Sequence, residues 1–276
     1  MKKTVALILA LIMVLALCAG CGSSADDRLK AIKEKGVIEI ATEPYFAPYE
    51  FIDPSKDGDE QFVGMDMEFA KAIADKLGVE LKIVPLDFTA VLAGVVEGKY
   101  DMAISAIAYS PDRAETMTLS KGYLITEANE YGFLTRAEDV DKYDSIESLK
   151  DAVVITQSGS VQEGIYKEQV KNCKEFKRVD NMTDGYLAVA EGRADVCIVS
   201  KASASLYAEA NGGLAIPEFR FETDPLLDSV VVAMPKNGCD ELCKVVNEVI
   251  DELAKDDQFK DWFAEYGEYA TTLGIE

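Results

Sequence analysis

Two short stretches of the chain combine donors, hydroxyls and helix starts in a way that suits an anion. In Ser110-Pro111-Asp112-Arg113, Ser110 has the chemistry of an N-cap and Pro111 suits the first helical position. A helix N-terminus offers free N–H groups and partial positive charge, and Arg113 adds a planar fork of donors for a carboxylate. The alternative for Arg113 is a surface pair with Asp112 or Glu115. In Ser158-Gly159-Ser160-Val161-Gln162-Glu163, Ser160 and Glu163 stand at capping-box spacing. Ser160 is then occupied as a cap, while the amides of Val161 and Gln162 are left to meet an anion. The chain has no histidine, which excludes Ser-His-Asp and Cys-His catalysis, His proton shuttles and His-ligated metals. Cys239 and Cys243 have helical spacing but no partners to complete a metal set, and Cys197 lies in an apolar run. Structural cysteines are expected, with no metal and no cofactor.

The N-terminus carries a different chemistry. Lys2 and Lys3 precede an apolar run from Val5 to Ala19, shorter than the roughly 20 residues that span a bilayer. Residues 1–20 read as a signal peptide. Ala19-Gly20 before Cys21 resembles a bacterial lipobox, with Cys21 lipidated and residues 21–26 as a tether. Cys18 is a rival acceptor, but Leu17 before it is a poor cleavage residue. A soluble secreted chain with an incidental Cys21 is the alternative.

These motifs need elements to hold them. With 276 residues, 49% hydrophobic and 28% charged, the chain is long and apolar enough for one large α/β unit or two domains of ordinary size. Its 28 Lys+Arg against 50 Asp+Glu, a net charge of −22, argue against nucleic acid as a partner. Phe69, Ile73 and Leu77 predict an amphipathic helix over 66–77. Strands are expected at Val37–Ala41, Glu80–Pro85 and Asp101–Ile107, with a helix at Thr89–Glu97, which implies a parallel sheet covered by helices. The motif Glu97-Gly98-Lys99-Tyr100-Asp101-Met102-Ala103-Ile104 recurs in type as Glu191-Gly192-Arg193-Ala194-Asp195-Val196-Cys197-Ile198. A second α/β lobe follows, with strands Ala152–Thr156, Glu175–Val179 and Val196–Ser200. The chain then re-enters an apolar strand at Ser229–Met234 and ends in helices, so the first lobe is discontinuous. Ligand would bind where the carboxyl ends of the two sets of strands face each other.

Six stretches, in order, resemble the family 3 extracellular solute-binding proteins, the polar amino-acid receptors of ABC importers. They are Lys35-Gly36-Val37-Ile38, Ala47-Pro48-Tyr49-Glu50-Phe51, Phe62-Val63-Gly64-Met65-Asp66, Gly98-Lys99-Tyr100-Asp101, Ser110-Pro111-Asp112-Arg113 and Gln157-Ser158-Gly159-Ser160. The resemblance implies an α/β, two-lobed hinged periplasmic-binding-protein fold of type II-like class. Lobe 1 would take 27–126 and 224–276 and lobe 2 127–223, with crossover strands near 124–130 and 222–228. It further implies that Arg113 grips a ligand carboxylate, that Phe46 and Met65 sandwich the ligand, and that Glu43 faces its side chain. Ser105 and Ala106 would contribute backbone. Ala108 and Val161 stand where hydroxyl residues are usual, and Ser200 where an acid usually meets the ammonium. Either Glu43, Glu50 or Asp228 would replace that acid, or the ligand is not an ordinary α-amino acid.

The function these readings favour is an exported, monomeric receptor that closes on an amino acid or related amino carboxylate. It would pass the ligand to an ABC permease from a lipid anchor on the outer face of the cytoplasmic membrane. The alternatives are a dehydratase-like enzyme on the same scaffold, with Glu43 as acid, and a ligand sensor.

Overall fold

A computed structural model describes residues 27–125, 130–224, 227 and 229–274. In chain order the first elements are α1 (Asp27–Lys35), β1 (Val37–Thr42), β2 (Tyr45–Phe46), β3 (Glu50–Ile52), β4 (Phe62–Val63), α2 (Met65–Leu77), β5 (Glu80–Pro85) and α3 (Phe88–Val96). Then come β6 (Met102–Ala103), α4 (Pro111–Thr116), β7 (Met117–Leu119) and β8 (Leu124–Ile125). The second lobe holds β9 (Tyr131–Arg136), β10 (Val153–Gln157), α5 (Val161–Gln169), β11 (Glu175–Val179), α6 (Met182–Ala190), β12 (Val196–Ser200), α7 (Lys201–Asn211) and β13 (Leu214–Ala215). The chain returns through β14 (Ser229–Val230) and β15 (Ala233–Pro235) to α8 (Asp240–Leu253) and α9 (Gln258–Leu273).

The fold is two-lobed, as expected, with one five-stranded sheet in each lobe. Their orders are β5-β1-β6-β15-β7 and β11-β10-β12-β9-β13. In each, three parallel strands run second, first, third in chain order, and antiparallel strands extend the sheet beyond them. The strands expected to form a parallel sheet do pair in parallel, and the antiparallel additions make each sheet mixed. β8 pairs antiparallel with β14, and Leu124 and Val230 from the pair join the core of the first lobe. Of the expected crossovers, residues 126–129, 225–226 and 228 lie outside the described residues, as do Cys21 and Asp228.

Helix α2 covers the first sheet with Phe69 and Ile73, both fully buried as their spacing requires. Burying each is worth about 2–3 kcal/mol. The expected strand 101–107 keeps only Met102–Ala103 in the ladder. The chain leaves the sheet because the Ser105 hydroxyl and the Ala106 amide donate instead to the carboxyls of Glu50 and Asp66, at 3.1 and 2.8 Å. The expected strand Ser229–Met234 likewise splits, with the Val231 amide donating to Ile107 O at 2.8 Å.

The internal repeat has a physical identity. Gly98 and Gly192 turn the chain at φ 71° and 72°, where other L-residues are strained. Asp101 and Asp195 follow, and each carboxylate accepts from the first of the three parallel strands of its own sheet: from the Glu39 amide at 2.9 Å and the Val153 amide at 2.8 Å. An arginine braces each. Arg28 reaches Asp101 and Tyr100 O, and Arg136 reaches Asp195 and Ala194 O.

Candidate functional site

The ends of the parallel strands converge on a cavity at the junction of the lobes. β1 delivers Glu43, β6 leads to Ser105, Ala106 and Ala108, β10 ends in Gln157, and β12 ends in Ser200. Ten of the eleven ligand-binding residues expected from the sequence line it: Glu43, Phe46, Ser105, Ala106, Ala108, Arg113, Ser160, Val161, Gln162 and Ser200.

Met65 is the exception. It is fully buried in the core of the first lobe rather than in the cavity wall. The Met65 and Asp66 amides donate to Pro48 O and Tyr49 O at 3.1 and 2.9 Å, which tucks the start of α2 beneath the 46–49 loop. Tyr49, stacked on Phe46 with ring centroids 5.6 Å apart, lines the cavity in its place. Phe88, Tyr131 and Val230 complete the apolar lining.

Both helix-start motifs form. Ser110 Oγ accepts from the Arg113 amide and Ser160 Oγ from the Glu163 amide, each at 3.2 Å. The reciprocal arm of the second differs from the expected box. Glu163 accepts from the Gly159 amide at 2.8 Å and is braced by Arg178 and Lys167. The Val161 and Gln162 amides, at the first two positions of α5, have no acceptor inside the helix.

Arg113 does not pair with Asp112 or Glu115. Its Nη1 donates to Ala108 O at 2.6 Å and its Nη2 to Gly159 O at 3.1 Å, in the facing lobe. The guanidinium lies 5.6 Å from the Phe88 ring centre, and burial lowers its pKa to about 10. Among the described residues no carboxylate forms an ion pair with it. The Thr183 hydroxyl donates to Tyr45 O at 3.4 Å and Phe46 packs against both cores, so the lobes are closed.

The cavity is otherwise acidic. Glu43 is 2% exposed, and its Oε1 has no hydrogen-bond partner among the described residues. Burial raises its pKa from 4.5 to about 8, against a hydrogen bond with Gln157 and with the Asp87 charge adding to the rise. Glu50 sits behind it, with Ser105 bridging: the Glu43 amide donates to Ser105 Oγ at 2.9 Å, and that hydroxyl donates to Glu50. Ala106 holds φ 45°, a strained value for a residue with a side chain, fixed by its hydrogen bond to Asp66. Ser200 is buried at the start of α7 and brings no acid. The sequence already held signals for Tyr49, Glu50 and Gln157, which lie inside the quoted motifs. Phe88, Tyr131 and Val230 lie outside them.

The arrangement can seat a small molecule with a carboxylate on Arg113 and a cation or hydrogen-bond donor toward the acids. The described residues include no helix long and apolar enough to cross a membrane. Comparison with known proteins gives consistent likenesses. Residues 38–269 match the model of the bacterial extracellular solute-binding proteins, family 3. The chain is 29% identical over 274 residues to the arginine-binding extracellular protein ArtP of Bacillus subtilis, covering 95% of this chain and 98% of that protein. The crystal structure of an amino acid ABC transporter substrate-binding protein, AbpA from Streptococcus pneumoniae bound to L-arginine, superposes with a TM-score of 0.80 at 31% identity. That match covers 90% of this chain and 99% of the other. The cyclohexadienyl dehydratase of Pseudomonas aeruginosa is 24% identical over 199 residues, 70% of each chain.

Proposed function

Since the chain belongs to the bacterial extracellular solute-binding proteins, family 3, we propose that it captures a small amino acid or related amino carboxylate by lobe closure and delivers it to an ABC permease. The observation that carries this reading is the pairing of opposites in one closed cavity. Arg113 has no carboxylate partner and Glu43 Oε1 has no donor among the described residues, and both line the same space. A buried cation and a buried carboxyl left apart are each unfavourable, and a zwitterionic ligand between them satisfies both. Sugars would leave Arg113 without an anion, and phosphates would meet the carboxyls of Glu43 and Glu50. Within the class, the surplus of acid favours cationic side chains, in keeping with the arginine-bound relative.

In this reading Arg113 holds the ligand carboxylate with the Val161 and Gln162 amides nearby, and Phe46 and Tyr49 form an apolar wall. Glu43 meets the ligand's cationic or donor group, in place of an acid at Ser200. The hinge runs where β8 and β14 cross, with lobe 1 at 27–126 and 224–276 and lobe 2 at 127–223. The receptor is a monomer, exported and held by a lipid on Cys21. The arginine-binding relative and the arginine-bound structure favour a binder over a dehydratase. A thermal-shift screen of amino acids, dicarboxylates, sugars and phosphates tests the reading, with turnover assayed on each hit. Stabilisation by amino carboxylates without turnover is expected. Stabilisation by sugars or phosphates alone overturns it.

A further inference from the structure

The apolar wall of the cavity rests on the C-terminal helix, from outside the lining. Phe46 and Tyr49 both line the cavity, and their rings stack with centroids 5.6 Å apart and planes 10° from parallel. Phe263 of α9 stands outside the lining and meets Tyr49 nearly edge-on, at 5.2 Å and 76°. Both separations fall where aromatic pairs attract beyond the area they bury. The Tyr49 backbone is held independently: its amide donates to Phe46 O at 3.0 Å and its carbonyl accepts from the Asp66 amide at 2.9 Å. What Phe263 restrains is therefore the ring. Helix α9 is itself well fastened. Phe259 packs at right angles on Phe69 of α2, with centroids 5.1 Å apart, and the Tyr266 hydroxyl donates to Glu68 at 2.7 Å. The Tyr269 hydroxyl donates to Asp53, just beyond β3. Phe263 is half-buried at the margin of the first lobe's core, whereas Phe69 and Ile73 fill its interior.

We propose that Phe263 is a positioning residue for the ligand: by holding the Tyr49 ring against Phe46, it fixes the depth of the apolar wall and limits the length of ligand side chain that the closed cavity accepts. The inference rests on the amino-carboxylate reading above and deepens it. Phe263 acts through Tyr49, without touching the ligand. Packed side chains have two or more neighbours to satisfy, so a gap on one side is answered by movement on the other. A leucine in place of Phe263 does not reach as far as the ring and leaves space beside Tyr49. The Tyr49 ring then turns into that space and the cavity deepens. One methylene against an unyielding apolar wall is worth roughly 10–200-fold in discrimination, and a wall that yields gives much of that up.

The test is calorimetric titration of L-arginine and L-homoarginine, one methylene longer, into wild type, Phe263→Leu and Tyr266→Phe. Wild type should favour arginine, and Phe263→Leu should lower the arginine-over-homoarginine ratio about tenfold. Phe263→Met, flexible where the ring is rigid, is the second variant should Phe263→Leu not fold, and it should shift the ratio the same way. Phe263→Tyr keeps the ring and should keep the wild-type ratio. Tyr266→Phe loosens the same helix by removing its bond to Glu68 but leaves the Phe263 ring on Tyr49, so its ratio should stay as in wild type. A merely structural Phe263 would weaken both ligands alike, and an unmoved ratio overturns the inference. An equal shift in Tyr266→Phe, or a wild type that favours homoarginine, overturns it too. Crystal structures of ligand-free wild type and Phe263→Leu give a readout that needs no ligand. The Tyr49 ring should turn away from Phe46 in the variant, and an unmoved ring overturns the inference. Wild type that binds neither probe overturns the preference for cationic ligands in the proposed function, and the Tyr49 ring then decides this inference by itself.

Discussion

Replacing Glu43 by Gln should move stability and binding in opposite directions. In the closed, ligand-free protein Glu43 keeps its proton up to about pH 8, while in the unfolded chain it ionises near 4.5. Between those values the native state binds the extra proton, so its stability falls as pH rises. Each pH unit costs about 1.4 kcal/mol, and the whole interval roughly 5 kcal/mol while the lobes stay shut. Opening rehydrates the carboxyl and caps the loss. Glu43→Gln removes the burden, so the ligand-free variant should be about 1–5 kcal/mol more stable than wild type at pH 8 and no different at pH 4. Binding should go the other way. Once a ligand cation sits against Glu43 the ionised form is favoured, and losing it should weaken a cationic amino acid by about 2–5 kcal/mol. In wild type that affinity should climb about tenfold per pH unit toward pH 8, because the proton must leave first. Urea denaturation without ligand at pH 4 and 8, with calorimetry of L-arginine from pH 6 to 8.5, measures both effects. Equal stability at pH 8 with unchanged affinity would refute the reasoning.

Arg113→Ala should lower affinity for an amino carboxylate by about 2–5 kcal/mol by calorimetry with thermal stability retained, and Arg113→Lys should also bind poorly because an ammonium lacks the fork. Gly159→Ala places a methyl about 3.3 Å from Thr89 Cγ2 across the closed cleft, at φ 72°. It should weaken ligand about five- to tenfold by disfavouring closure, at about 1 kcal/mol in stability by urea denaturation. Cys21→Ser should abolish lipid labelling and leave a precursor or release the chain to the medium, scored by fractionation; unchanged acylation would refute the anchor.

The site was legible where local rules decide it. Ser110 and Ser160 cap their helices as spacing alone requires, and the strand ends they follow were set by apolar runs. Met65 was misplaced because an apolar residue at a strand-to-helix junction looks the same whether it turns to the core or the cavity. Only the amide contacts to Pro48 and Tyr49 decide that. Phe88, Tyr131 and Val230 were missed because long-range pairing brings them in: β9 lies antiparallel beside β12, and β14 beside β8. The small sheet of β2, β3 and β4 was invisible for a similar reason, since strands of two or three residues carry no measurable alternation.

The twin aspartate clips have a consequence for how recognition changes. Asp101 and Asp195 fasten each sheet toward the beginnings of its parallel strands, and the cavity-lining residues stand at or beyond those strands' other ends. Sheet integrity and ligand choice are thus written on opposite edges of the same layer. An engineer seeking a biosensor for a new amino carboxylate can diversify Glu43, Phe46, Phe88, Tyr131, Gln157 and Ser200 as one panel and leave the Gly-turn-Asp edges untouched. The two lobes supply two such panels that face one another across the cavity.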